Sequence, residues 1–267
     1  MERIERLSDE GSTLRLVARL DVKGPNLIKG IHLEGLRVMG DPGEHARRYY
    51  EQGCDELIYM DAVASLYGRN NLLDIVKSTA RHCFVPITVG GGIRSVENAD
   101  ALLRSGADKV AINTAATEDP TLISSLANRF GSQAVVLSVE AKRRGATSDG
   151  GWEALTNNGR DHSGRDVMEW AREAVEHGAG EVLVTSVDQE GTRKGFDVDL
   201  IAGVCEAVNV PVVASGGMGG VDDLEALTRA TSVDGVAIAD MLHYRRVTFE
   251  DIREACRDRS VPVRWVR

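Results

Sequence analysis

Two carboxylates stand where acid–base chemistry could be done. Asp21 ends one short apolar run and Glu140 follows another, and each has a lysine two residues on, Lys23 and Lys142. Carboxylates facing each other across a substrate can divide the work of general acid and general base when their surroundings separate their pKa values. Alternation along a strand also sends residues i and i+2 to one face, so each acid could instead pair with its own lysine. The catalytic reading is preferred, because acids at strand ends are placed to point into a site. Asp61, Asp188 and Glu190 are secondary candidates.

Two glycine turns accompany these acids. Gly90-Gly91-Gly92 and Ser215-Gly216-Gly217 each end an apolar run and precede a helical pattern. Without a Cβ in the way, backbone N–H groups can approach an anion, and a helix start adds favourable partial charge. Glycines that only close tight turns are the plainer alternative, but the match between the two turns favours a pair of anion cradles. Beside the first lies Asn113-Thr114, neutral donors suited to phosphate; the matching pair at the second is Ala239-Asp240, whose carboxylate would repel phosphate.

Arg15, Glu56, Lys109 and Glu181 fall at or just before the starts of four apolar runs, where they would form a ring of alternating salt bridges. That ring could be a passage or simply close one end of the fold. The six histidines are scattered and read as surface or packing residues. No Ser–His–Asp arrangement can be argued from order alone. No His/Cys/Asp cluster has metal-ligand spacing, so neither metal nor cofactor is expected.

The elements that position these residues alternate from end to end. Strands are predicted at Arg15–Asp21, Glu56–Asp61, Pro86–Val89, Lys109–Ile112, Ala134–Val139, Glu181–Ser186, Pro211–Ala214 and Gly235–Ile238. Helical patterns lie near Pro42–Gln52, Asn71–His82, Val96–Arg104, Pro120–Arg129, Gly164–His177, Asp197–Val208, Val221–Arg229 and Phe249–Arg257. Strand-then-helix repetition implies a parallel sheet, and near-continuous apolar strands imply burial on both faces. The segment around Pro86 returns around Pro211, displaced by 125 positions, and Glu56 returns as Glu181. Such a repeat selects a closed α/β TIM barrel, (β/α)8, built from two half-barrels, over a doubly wound open sheet. The expectation is one domain over residues 1–267, with half-barrels roughly 14–133 and 134–258.

Two connections exceed ordinary βα loops. Residues 22–41 show weak helical periodicity and read as a substrate-covering lid; residues 141–162 are rich in Gly, Asn and Arg. Both follow the C-terminal end of a strand, where barrels keep their chemistry.

Bulk properties narrow the function. The 267 residues carry a formal net charge of −9, which argues against nucleic acid or an anionic membrane as a general partner. An anionic small molecule would need a local site that overrides the global sign. No apolar run approaches the roughly 20 residues of a membrane span, and Met-Glu-Arg-Ile-Glu-Arg at the start does not read as a signal peptide. Cys54, Cys83, Cys205 and Cys256 lack CxxC spacing and read as buried free thiols of a cytoplasmic protein.

From about Leu14 to Tyr244 the chain resembles the cyclase subunit of imidazole glycerol phosphate synthase, the HisF type. The resemblance rests on Asp21-Val22-Lys23, Gly40-Asp41-Pro42, Asp55-Glu56-Leu57, Thr88 to Ile93, Gly106 to Val110, Ile112 to Ala116, Phe130 to Gln133, Thr185 to Asp188 with Gly191-Thr192, and Ser215-Gly216-Gly217. It implies a glutamine-dependent synthase, whose separate HisH-type glutaminase docks at the N-terminal face and releases ammonia. Arg15, Glu56, Lys109 and Glu181 match that family's gate, through which ammonia enters the barrel. Asp21 and Glu140 match the two catalytic acids of ammonia addition and imidazole ring closure. Substrate- and phosphate-binding positions fall on Lys29, Gly91, Gly92, Asn113, Thr114, Thr185, Glu190, Gly191, Ser215, Gly216, Gly217 and Asp240.

The chain departs from the family's pattern at four of its residues. Glu140 and Glu190 stand where aspartate is usual, Asp240 replaces a small phosphate-binding serine, and Arg19 stands inside the first strand where the family has cysteine. The first cradle and the ammonia gate are intact, which predicts retained ammonia delivery, while the changes leave the acceptor open. The alternatives are a paralogue that delivers ammonia to another acceptor, such as an acetamido sugar, and a non-catalytic scaffold that activates the glutaminase. A lone isomerase would not need the charged passage.

Overall fold

A computed structural model describes residues 13–64, 72–145 and 150–264. The predicted N-terminal reading, the helix start at Asn71, and residues 146–149 of the second long connection lie outside the described residues. Among the described residues, twelve strands form one sheet: β1 (Arg15–Lys23), β2 (Asn26–Ile31), β3 (Glu34–Gly40), β4 (Glu56–Asp61), β5 (Ile87–Gly90), β6 (Lys109–Ile112), β7 (Val135–Arg143), β8 (Trp152–Thr156), β9 (Asp161–Asp166), β10 (Glu181–Ser186), β11 (Val212–Ser215) and β12 (Gly235–Ile238). Eight of them pair in parallel, in the order β1-β4-β5-β6-β7-β10-β11-β12, and β12 returns to β1 to close a (β/α)8 barrel. All eight expected strands are present, with ends shifted by no more than a few residues.

The helices are α1 (Pro42–Glu51), α2 (Leu72–Thr79), α3 (Val96–Arg104), α4 (Thr114–Glu118), α5 (Thr121–Phe130), α6 (Val167–Glu176), α7 (Val198–Ala207), α8 (Val221–Ala230), α9 (Asp240–His243) and α10 (Phe249–Asp258). Asp41 caps α1 through the Glu44 N–H, with Pro42 in the first turn. Asp166 caps α6, so that helix begins three residues later than the sequence pattern predicts, and Gly164 belongs to β9.

Period-two alternation explains the two apolar layers. Val17, Ile58, Ala111, Val136, Leu183, Val213 and Ala237 point inward and form a cluster of their own. Their neighbours along the strands, such as Leu16, Leu57, Val110, Leu137, Val182, Val212 and Val236, point outward into the main core beneath the helices. Cys54, Cys83, Cys205 and Cys256 are buried free thiols. Among the described residues no helix is long and apolar enough to cross a membrane.

The two long connections are hairpins, which corrects the helical tendency predicted for residues 22–41. β2 and β3 extend antiparallel from β1, and β8 and β9 extend antiparallel from β7. The first turns at His32-Leu33, both with positive φ (54° and 62°). A two-residue hairpin turn demands that conformation, and the Asn-Gly pair that usually announces it is absent. The second turns through Asn157, Asn158 and Gly159, all left-handed. Leu33, Leu155 and Val187 join in a small apolar cluster, so the hairpins meet over the C-terminal end of the barrel.

Candidate active site

Asp21 and Glu140 occupy equivalent places in the two halves. Asp21 on β1 lies opposite Ile28 of its hairpin, and Glu140 on β7 lies opposite Leu155 of the other. Neither acid pairs with its own lysine. Asp21 Oδ1 accepts from Arg19 Nε at 2.9 Å, while Lys142 reaches Asp188 at 3.2 Å. Glu140 Oε2 accepts from the Gly159 N–H at 2.7 Å and from Asn113 Nδ2 at 3.1 Å. Burial pushes the Glu140 carboxyl up to about 7, against the Gly159 N–H and the Arg19 charge, and Asp21 adds to the rise. The two acids therefore feel each other and share Arg19 between them.

Arg19 is 2% exposed and spans the barrel interior. Its Nη1 donates to Thr185 Oγ1 at 2.7 Å and to Ser215 Oγ at 3.1 Å. These two hydroxyls, expected to contact substrate, face inward toward the guanidinium.

The first glycine turn opens on a cavity of about 260 Å³, lined by Gly91, Gly92, Asn113, Thr114, Glu140 and Asp61 among others. Gly91 has φ +102°, and a Cβ there would meet the Asp61 carbonyl oxygen at 2.5 Å, so no side chain is admitted. Thr114 Oγ1 accepts from the Asn157 N–H at 3.0 Å, and Asn113 also donates to the Leu155 carbonyl. Asp61 Oδ1 accepts the N–H groups of Val63 and Ala64, and among the described residues its buried Oδ2 has no hydrogen-bond partner.

At the second turn the space is about 20 Å³, lined by Lys29, Glu190, Gly191, Arg193, Gly216, Gly217 and Asp240 among others. Lys29 and Glu190 form a buried ion pair. Asp240 Oδ1 faces Arg193 Nε at 3.6 Å and Arg246 Nε at 3.5 Å. The matched turns thus differ more than tenfold in the room they leave.

At the opposite end, Arg15, Glu56, Lys109 and Glu181 do converge. Arg15 Nη1 lies 2.6 Å from Glu56 and 3.4 Å from Glu181; Lys109 Nζ lies 3.2 Å from Glu56 and 2.7 Å from Glu181. Each base touches both acids, and the ring is closed. Burial alone would lower the Arg15 pKa, but Glu181 and Glu56 raise it.

Sequence reasoning did not single out Arg193, Arg246 or the Gly159 N–H. The basic pairs Arg193-Lys194 and Arg245-Arg246 were visible, but nothing local says that they meet at Asp240.

A closed (β/α)8 barrel with opposed buried acids at one rim and a ring of four charges at the other defines a barrel enzyme whose chemistry sits at the C-terminal strand ends. The family model described as "Histidine biosynthesis protein" matches residues 15–248, and the chain belongs to that family. It is 67% identical to the imidazole glycerol phosphate synthase subunit HisF of Legionella pneumophila over 212 residues, covering 79% of this chain and 99% of that protein. It is 47% identical to the subunit of that name from Beutenbergia cavernae over 253 residues (94% and 98% covered) and 42% identical to that of Trichormus variabilis over 250 (94% and 97%).

Proposed function

We propose that this chain, one barrel domain over residues 1–267, is the cyclase subunit of a glutamine amidotransferase of the imidazole glycerol phosphate synthase type, acting in histidine biosynthesis in the cytoplasm. A glutaminase subunit docks at the N-terminal face and delivers ammonia through the ring of Arg15, Glu56, Lys109 and Glu181. The observation that carries the reading is the placement of Asp21 and Glu140 at one mouth, directly above that ring.

The geometry supports a division of labour. Ammonia leaving the ring enters the layer of Val17, Ile58, Leu183 and their neighbours. That layer admits neutral ammonia and disfavours ammonium, because an unpaired buried charge is costly. Glu140, with a pKa near 7, exchanges a proton close to neutral pH, as a general acid or base must. Asp21, ion-paired to Arg19, offers a carboxylate on the other side of the substrate. Gly92, Asn113 and Thr114 hold the substrate's phosphate in the larger cavity.

The test is reconstitution with the glutaminase and, separately, with ammonium salt. Asp21→Asn abolishes product formation in both assays; unchanged turnover would leave only a glutaminase-activating scaffold.

A second reading is favoured by Asp240, which occupies the second cradle. It is a paralogue that passes ammonia to another acceptor, such as an acetamido sugar. Retained glutaminase activation with no turnover of the usual histidine-pathway nucleotide would select it.

A further inference from the structure

Next to the closed second cradle lies an open groove of about 500 Å³ between the first hairpin and α9, and the two share Lys29, Gly191, Arg193 and Asp240. The inner space, about 20 Å³, has room for a water molecule, which needs roughly 10–15 Å³. The groove is large enough for a phosphate group and part of its carrier. Lys29 is already committed to Glu190. The remaining charges set Arg37, Arg193 and Arg246 against Glu34 and Asp240. That is a local positive surplus in a chain whose formal charge is −9.

Two of these arginines are held in place. Arg193 has φ +59°, a left-handed backbone that costs a non-glycine residue energy and recurs where function fixes a conformation. Arg246 lies over the Tyr244 ring, 5.2 Å from its centroid. Both approach Asp240 Oδ1 through Nε at distances beyond a hydrogen bond. Among the described residues neither guanidinium donates a hydrogen bond, so both keep donors for a ligand.

We infer that the substrate's second anionic group, a phosphate, is bound in this outer groove by Arg193 and Arg246, with Asp240 bracing the pair, and not on the Gly216–Gly217 turn. The inference rests on the proposed reading of the mouth as a phosphorylated-substrate site. It specifies a substrate whose far phosphate sits further out than the glycine turn would hold it.

Titration of the full-length protein with inorganic phosphate, followed by calorimetry and ³¹P NMR, tests this without turnover. Two sites are expected. Arg193→Gln with Arg246→Gln, which keeps much of the side chains' reach and removes their charge, weakens one site at least about tenfold. Thr114→Val weakens only the other. Asp240→Asn keeps an amide oxygen beside both guanidinium groups and removes a competing negative charge, so it tightens the arginine site. The inference is overturned if the double variant binds phosphate like the unaltered protein, if the only site found is the one Thr114→Val weakens, or if no phosphate binds. Two sites behaving as described, with no ammonia-dependent product from the complex, would instead sink the functional reading and leave the groove assignment standing.

Discussion

Arg19 Nε donates to Asp21 Oδ1 at 2.9 Å, two residues along one strand, with the guanidinium almost wholly buried. The Arg19 charge is also felt by Glu140 across the mouth. One arginine thereby pairs with the first acid and opposes the rise that burial imposes on the second.

Removing that arginine leaves a largely buried carboxylate and two hydroxyls, Thr185 and Ser215, without their donor. Arg19→Met should destabilise the fold by about 3 kcal/mol, the scale for breaking a buried ion pair. Adding Asp21→Asn should recover much of the stability and none of the activity. Urea unfolding of the two single variants and the double variant measures the coupling; additive losses would show that the pair is not coupled.

Glu140 makes stability depend on pH in a stated direction. Its pKa rises from 4.5 to about 7 on folding, so the folded state binds the extra proton. That contribution is complete below the unfolded value and is lost as pH rises through about 7, on the order of 3 kcal/mol. Glu140→Gln should flatten the unfolding free energy between those pH values relative to the unaltered protein. It should also remove the limb near pH 7 from the rate profile and cut kcat by roughly 100-fold or more.

Glu140→Asp restores the residue expected of the family but shortens the side chain by one methylene. The carboxyl retreats by about 1 Å from the Gly159 N–H and Asn113, a displacement that can cost roughly 100-fold in rate. The expected signature is a lower kcat with KM little changed, measured with ammonium salt.

The closed ring predicts a split between two ammonia sources. Lys109→Ala removes contacts of 3.2 and 2.7 Å and opens the passage. Turnover with ammonium salt should persist, while the ratio of product formed to glutamine hydrolysed falls below that of the unaltered complex. An unchanged ratio would show that the ring is a structural closure only.

Much of this protein was written locally. Eight apolar runs with helical patterns between them dictate a parallel sheet, because strands buried on both faces need covering helices, and the 125-residue repeat selects its closure into a barrel. The starts of those runs place Arg15, Glu56, Lys109 and Glu181 at one end, and the ends of two of them place Asp21 and Glu140 at the other. Strand periodicity is a short-range property, so a sequence carries it openly.

What the tertiary structure alone decided involves side chains reaching across that frame. The first hairpin turns at His32-Leu33 without the residues that usually mark such a turn, and tertiary contacts override the local signal: the His32 N–H donates to the Glu190 carbonyl at 2.8 Å, and Leu33 packs on Leu155 and Val187. Asp21 takes Arg19 rather than Lys23 as its partner because the guanidinium is also fixed by hydroxyls on two other strands. The fate of the second cradle depends on Arg193, Asp240 and Arg246, brought together from separate segments of the chain. The volume left in a cavity is a property of packing among distant residues, and no local pattern encodes it.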